Sequence, residues 1–354
     1  MAVTREFEDY GVGSSRSGGR HGCLSAVLWL VIIGIVAACA MRMLPIERSV
    51  RSVVPEVVSF VPWLAIPALI CLGLALLWRR WLLAIVSFSC VALLAFWHLG
   101  FVIPDRPISP EAGVIAATRA DPDDNVMRLM TLNTKNGHAD AAQVVQAVRE
   151  RNVEVLALQE VSWSFLEELD AAGMGEVLPY HVDSVAGRWD NGGLNCLFSR
   201  VEMSDASEDL LPMDLSAMSA GSIDMGELTL RFVSCHPSSP HLGGQDLWSE
   251  GLSTIASLSE YDHRYVVMGD FNSTWNHASF RSLLGTSFLD ASEAAGEGFH
   301  MTFPSWEGLP VPPLIEIDHI VFADDERIAV GGLETIRIDG TDHLALLATL
   351  EVRG

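Results

Sequence analysis

Three long apolar runs without a charged residue, at 23–41, 57–78 and 81–103, constrain this chain more than any other feature. Each exceeds the roughly 18 consecutive apolar residues that mark a membrane-spanning helix. One such run could be the core helix of a soluble domain, but three in succession predict three transmembrane helices. Trp78 and Trp81 bracket Arg79 and Arg80, the pattern of an interfacial aromatic belt around a tight hairpin. Pro62 and Pro67 are expected to kink the second helix. His98 reads as a packed or snorkelling side chain rather than a proton relay. The leader at 1–22 is rich in Arg, Ser and Gly, with no cleavage site after the apolar run, as in a signal anchor.

Charge divides the chain at the same place. Residues 1–103 carry eight Arg against five acidic groups, whereas 104–354 carry 14 basic and 40 acidic groups, a balance of −26. An apolar content of 49% excludes intrinsic disorder, and six Cys in 354 residues exclude a disulfide-stapled miniature. The C-terminal part is long enough to bury one full core, so a membrane anchor at 23–103 followed by one domain at 126–354 is expected. Between them, 104–125 contains Pro104-Asp105 and Asp121-Pro122 and no helical period. It reads as a tether that spans at most roughly 75 Å when extended. Three spans put the two ends of the chain on opposite sides of a membrane. The flanking Arg residues divide five against five between the sides, so the positive-inside rule does not choose. The leader favours an extracytoplasmic C-terminal domain on a multi-pass cell-membrane protein.

From residue 126 onward, strand-like runs at 126–132, 153–158, 194–198, 229–234, 265–268, 317–322 and 344–351 surround a helical pattern at 139–151, which argues α/β. Polar residues collect where these runs end: Asn133, Glu160, His236, Asp270 with Asn272, Asp318, and Asp342 with His343. In an open sheet such residues can converge on one crevice. Carboxylates and amides are hard oxygen donors suited to Mg²⁺, with Mn²⁺ as the alternative. Plainer readings stand beside this one. Asn133 alone could cap the following helix, and a single Asp-His pair is more often a surface accident. Lys135, the one Lys in the chain, could touch phosphate or simply be solvated. Cys196 and Cys235 lie inside strand-like runs and read as buried, inert thiols. For Trp163, Trp189, Trp248, Trp275 and Trp306 packing is the default.

Five segments, in order, carry a resemblance to the endonuclease/exonuclease/phosphatase superfamily over about 126–352: Thr131-Leu132-Asn133, Leu158-Gln159-Glu160-Val161, Gly269-Asp270-Phe271-Asn272, Ile317-Asp318-His319-Ile320 and Thr341-Asp342-His343-Leu344. The resemblance implies a four-layer sandwich of two mixed β-sheets flanked by helices, and Mg²⁺-dependent hydrolysis of a phosphate ester or anhydride. It implies that Glu160 is the main metal carboxylate, with Asn133 and Asp342 completing or supporting the coordination. His343 would activate the attacking water or stabilise the phosphate, oriented by Asp318. Asp270 and Asn272 would position nucleophile and phosphate oxygens, and His236 would donate to a non-bridging oxygen. Pro237 departs from the superfamily, where an apolar residue such as Leu is commoner.

The layout is also similar to teicoplanin-resistance type membrane proteins of this superfamily, which implies a cell-wall phosphatase acting on undecaprenyl diphosphate. The expected partners are the lipid bilayer and a lipid phosphate. A balance of −26 with few clustered Arg argues against nucleic acid, since duplex binders neutralise several phosphates with a basic stripe. The alternatives are a membrane-anchored nuclease, a sphingomyelinase-like phospholipid phosphodiesterase, or a binding protein that keeps the fold without turnover.

Overall fold

The structure, a computed structural model, describes residues 22–48, 53–121, 123–186, 191–306, 308 and 311–354. All but one residue of the expected leader lie outside this set.

Helix α1 (Gly22–Met43) is the one described helix long and apolar enough to cross a membrane. The other two expected spans come out shorter. The second run divides into α2 (Val54–Ser59), a 3₁₀ turn at Val61–Leu64 and α3 (Ala65–Leu77). Pro62 has no N–H to donate, so the backbone tightens there instead of continuing as one helix. Arg79, in the left-handed region at φ +56°, then turns the chain into α4 (Trp81–Trp97). Helix α4 stops before residue 103 for a tertiary reason: Phe101 stacks on Phe299 with ring centroids 4.4 Å apart, and its carbonyl accepts from Gly298 N at 2.7 Å. The apolar segments at 61–77 and 81–97 have 17 residues each. At 1.5 Å per residue that falls a few ångströms short of a hydrocarbon core about 30 Å thick. Ala68, Cys71, Ala75, Leu83 and Ala84 pack inside this bundle, while Leu30, Ile33, Ile70, Ile85, Phe88 and Phe96 face outward. Apolar side chains on both faces are the signature of helices surrounded by lipid or protein.

The segment at 104–125 is not an extended tether. It carries α5 (Pro110–Thr118), which Ser109 caps by accepting from Ala112 N and Pro110 starts at the first turn. Ala112 and Ala116 pack on Val126, and Ser109 donates N and Oγ to Glu351 at 2.8 and 2.6 Å. Asp105 N also donates to Ala294 O at 2.9 Å, so this segment is docked along the domain.

Strand β1 (Val126–Asn133) shows why the domain is layered. All eight residues are buried. Met127 and Leu129 enter the core between the sheets, and Met130 and Leu132 enter the core under the helices. A strand alternates faces with period two, so a run buried at every position must be covered on both sides. The first sheet has the order β11 (Ile328–Arg337), β12 (Leu344–Val352), β1, β2 (Val155–Val161), β4 (Leu194–Ser199), β3 (Tyr180–Asp183). The second runs β5 (Ser204–Ser207), β6 (Ser219–Asp224), β7 (Thr229–Cys235), β8 (Arg264–Asp270), β10 (Asp318–Ala323), β9 (Phe288–Asp290). Helices α6 (Ala141–Glu150) and α7 (Trp163–Ala171) cover the first sheet, and α8 (Gln245–Ala256) and α9 (Ala278–Leu284) cover the second, with α10 (Ala291–Ala295) packed into the core between them. Two mixed sheets flanked by helices are therefore present, as expected. Strands β3, β5, β6, β9 and β11 were not foreseen. Ser204–Ser207 and Ser219–Asp224 are small and polar, and β11 is interrupted at Gly331, so none shows an apolar run.

In each sheet one pair is parallel, β1 with β2 and β7 with β8. A parallel pair needs a crossover, supplied by α6 and α8, and it brings both strands to the same edge. Asn133 pairs with Gln159 in register, Cys235 with Gly269, and Asp318, on antiparallel β10, with Asp270. All the polar strand ends read from the sequence therefore meet at one end of the sandwich.

A buried carboxylate lies at the other end of β2. Burial pushes Glu154 up from 4.5 to about 7, against the pull of the Arg128 amide 3.3 Å from its Oε2. Between those values the folded state holds a proton that the unfolded chain releases, so the stability it contributes is complete below 4.5 and is lost as pH rises through about 7. Glu154→Gln cannot ionise. It is expected to raise stability relative to wild type by about 1–3 kcal/mol more at pH ~8 than at pH ~4. Thermal unfolding at both pH values checks this, and an equal offset at the two would count against it.

Candidate active site

Asp270 is the hub. It is 2% exposed. Its Oδ2 accepts from Asn133 Nδ2 at 3.0 Å and lies 3.4 Å from His236 Nε2 and 3.7 Å from His343 Nε2. Its Oδ1 accepts from Asn272 N at 2.8 Å. The same Asn133 amide donates to Glu160 Oε1 at 3.0 Å, so one side chain ties together carboxylates from the two sheets. Asn272 Nδ2 donates to Pro237 O at 3.0 Å and lies 3.1 Å from His236 Nε2. His343 Nδ1 is 2.8 Å from Asp318 Oδ2, and the Phe303 ring lies 4.9 Å from the imidazole. Seven of the eight residues singled out from the sequence thus form one cluster: Asn133, Glu160, His236, Asp270, Asn272, Asp318 and His343. Asp342 stands at its rim, one third exposed, with Oδ2 3.4 Å from Lys135 Nζ. Lys135, about half exposed, thus stands at the rim of the site. Asn133 does not cap α6, whose cap is Asp140.

Two functional side chains are held in strained backbone. Glu160 has φ +54° and Asn272 φ +48°, each costing about 1–3 kcal/mol, and such outliers gather where geometry is dictated by function. Gly192 is required by the same arrangement, because a Cβ there would come within 2.7 Å of Glu160 Cδ. Gly269 lets β7 and β8 approach behind Asp270, where a Cβ would lie 2.0 Å from Cys235 O.

The electrostatics separate the roles. Burial alone would raise Asp270, but the hydrogen bond from His236 and the charges of His343 and His236 pull it down to about 2, so it is ionised. Burial opposes protonation of His343, yet the charge and hydrogen bond of Asp318, with Asp270 and Asp342, push it up to about 9. His236 is raised for the same reasons, through Asp270 and Glu160. At neutral pH the site therefore offers the His343 imidazolium beside an ionised carboxylate, with protonation of His236 favoured by the same carboxylates. Burial pushes the Cys235 and Cys196 thiols well up, which fits inert packing.

A divalent cation fits the donor set. Four carboxylates, from Glu160, Asp270, Asp318 and Asp342, outnumber the two imidazoles and Lys135, and Asp318 Oδ1 is buried without a hydrogen-bond partner. Such an excess of hard oxygen atoms over donors is what a dication neutralises. A second buried set, Asp290, Glu316 and His319, is satisfied internally: His319 is 2.7 Å from Asp290 Oδ2 and 2.8 Å from Ser273 O, and Glu316 Oε2 accepts from His300 N at 3.2 Å.

Asn191 was missed by sequence reasoning. Its Nδ2 donates to Pro237 O at 3.1 Å and lies 3.3 Å from both ring nitrogens of His236. In the sequence it sits in Asn191-Gly192-Gly193, which reads only as a turn. Trp248 is in the core as expected, Trp163 and Trp306 are exposed, and Trp189 lies outside the described residues.

Comparisons with known proteins agree with the fold. The Endonuclease/Exonuclease/phosphatase family matches residues 130–343. D. rerio TDP2, solved with a single-strand DNA product, is 15% identical, with a TM-score of 0.53 over 65% of this chain and 100% of that one. An endonuclease/exonuclease/phosphatase family protein from Bacteroides thetaiotaomicron is 17% identical, with a TM-score of 0.50 over 65% and 98%. Sphingomyelinase C from Streptomyces griseocarneus is 16% identical, with a TM-score of 0.46 over 63% and 99%. At these identities the likeness is one of fold. No curated protein sequence matches the chain.

Proposed function

The chain belongs to the endonuclease/exonuclease/phosphatase family, and from that premise we propose that it is a membrane-attached, Mg²⁺-dependent hydrolase of lipid pyrophosphates, with undecaprenyl diphosphate as its substrate. The family makes it a phosphoester hydrolase. The finer reading rests on one observation: Arg42, Trp63 and Phe101 of the apolar segments are bonded to Asn276, Leu314 and Gly298, which lie beside the segments carrying Asn272 and Phe303. A phosphate carried on a membrane-embedded tail then stands beside the catalytic residues, at high effective concentration. The balance of −26 beyond residue 103 supports the same choice, since a polyanion would be repelled.

The chemistry follows from where charge builds. In-line displacement at phosphorus concentrates negative charge on the phosphoryl oxygens. The His343 imidazolium and the His236 ring donate to those oxygens, already held by Asp318 and Asn191, so little reorganisation is needed. Asp270, ionised between them, accepts the proton of the attacking water, which Asn272 helps to place. Glu160 and Asn133, with Asp342 at the rim, are the residues that would hold a divalent cation. When bound it supplies Lewis-acid polarisation of a phosphoryl oxygen. We assign the domain to the outer face of the membrane, which a reporter fused after Gly354 tests.

Full-length protein in detergent is expected to release phosphate from undecaprenyl diphosphate with Mg²⁺ and to stop on chelation. Absence of turnover on that lipid, with rapid cleavage of single-stranded DNA or of sphingomyelin in the same panel, would replace this reading with a nuclease or a phosphodiesterase.

A further inference from the structure

The contacts between the helices and the domain are polar, buried and specific. Arg42 Nε donates to Asn276 Oδ1 at 2.8 Å, and His98 Nε2 lies 3.0 Å from the same oxygen. The Arg42 guanidinium stacks against Trp97 and Trp275, 4.1 and 5.1 Å from the ring centroids. His277 accepts from Thr274 N at 2.8 Å through Nδ1, and its Nε2 donates to Pro55 O at 2.9 Å. Glu47, fully buried, accepts from Ala278 N and Ser279 N at the start of α9. Arg42, Asn276 and His277 are at most 4% exposed. Buried polar groups are costly unless paired, so this joint tolerates one arrangement where apolar packing would tolerate many.

The joint lies on the loop that carries Asn272. Only three residues separate Asn272 from Asn276, and the strained φ of Asn272 is maintained from both sides. On the inner side Asp270 and Pro237 bond it directly, and His319 holds the next carbonyl at 2.8 Å. On the outer side the helices hold Asn276 and His277. A second grip works in the same sense. Trp63 Nε1 donates to Leu314 O at 2.6 Å, Leu314 N donates to Phe303 O at 2.8 Å, and Phe303 lies against His343. A tether whose only task was attachment would need none of these contacts.

We propose that the N-terminal helices position the active site: Arg42 and His98, closing on Asn276, hold Asn272 against His236, and Trp63 steadies the loop that covers His343. Arg42, His98, Asn276 and Trp63 are then positioning residues, whatever the tail of the substrate. Disturbing the packing of these helices would be felt at the phosphate.

The test uses full-length protein in detergent with Mg²⁺ and the soluble diester bis(p-nitrophenyl) phosphate, together with amide hydrogen exchange, which needs no turnover. Asn276→Ala is expected to lower kcat about 10-fold with KM unchanged, because a small misplacement of a reacting group is felt in the transition state. Its amides at 271–277 are expected to exchange faster while those of β1 and β12 do not. Asn276→Asp keeps an acceptor for Arg42 and His98 and is expected to restore both readouts. Trp63→Phe keeps the ring but not the donor, and should speed exchange at Ser305, whose N–H donates to Asp342 O. Wild-type kcat and wild-type exchange in both Asn276→Ala and Trp63→Phe would overturn the proposal, as would an Asn276→Asp variant as impaired as the alanine. Because exchange is read without substrate, failure on undecaprenyl diphosphate and failure of this inference are distinguishable.

Discussion

Replacing His343 by alanine is expected to lower kcat by about 10²–10⁴-fold, the range for a positioned proton-transfer or charge-stabilising group. The imidazole is fixed by Asp318 Oδ2 at 2.8 Å and by the Phe303 ring, and its Nε2 faces the carboxylate hub 3.7 Å away. With its pKa raised to about 9 it is an imidazolium at neutral pH, which suits the proposed role of donor to phosphoryl oxygen rather than that of a base. Wild-type kcat is therefore expected to fall as pH rises through about 9, and the alanine variant to lose that limb of the profile. Removing one member of a buried ionic pair usually costs about 3–5 kcal/mol of stability, because the partner is left charged and alone. Here burial raises Asp318, so that it takes up a proton more readily, and the loss should fall below that range. Activity must be expressed per folded molecule, with His343→Gln as the variant that retains a donor. A His343→Ala enzyme with wild-type kcat would remove the imidazole from the mechanism.

Glu160→Gln is expected to raise the Mg²⁺ concentration for half-maximal activity by on the order of 10²-fold, since Mg²⁺ takes only one or two carboxylates from protein and this substitution removes a full charge. Its effect on stability without metal should be small. Glu160 Oε1 accepts from the Asn133 amide, as a Gln Oε1 can, and its charge is already offset by His236 at 3.8 Å. The metal-free variant should then unfold near the wild-type temperature, while the thermal shift on adding Mg²⁺, which reflects binding to the folded state alone, should nearly vanish. Differential scanning with and without chelator checks both halves. A variant that keeps the wild-type thermal shift would move the cation away from Glu160.

The two substitutions touch residues that were legible in the sequence. Asn133, Glu160, Asp270, Asp318 and His343 each end, start or adjoin an apolar run; singly such residues are ordinary turn chemistry, and it was the five ordered segments that marked them. Asn191 and Asn276 were not legible, because a single amide in a turn or a loop carries no periodic signal. Asn276 matters through Arg42, 234 positions away.

The amphipathic logic failed in two instructive places. In 104–125 the Ser109-Pro110 start of α5 was present in the sequence, but a short helix with small apolar residues shows no stripe until its docking partner, Val126, is known. The apolar runs at 57–78 and 81–103 were read by length alone. Their helices end early because Pro62 interrupts one and Phe101 leaves the other to stack on Phe299.

What the sequence by itself determined is the chemistry of the parts: apolar helices at one end, alternating buried strands at the other, and five polar motifs in the order of one family. These are local, since hydrophobic period and residue type can be read without knowing neighbours in space. Only the tertiary structure decided that the two sheets bring Asn133, Glu160, Asp270 and His343 around one hub, that Asp342 stays at the rim with Lys135, and that the helices are bonded to the active-site loops. Those relations join residues far apart in the chain, where the free energy of a buried hydrogen bond depends on a partner that no local pattern announces.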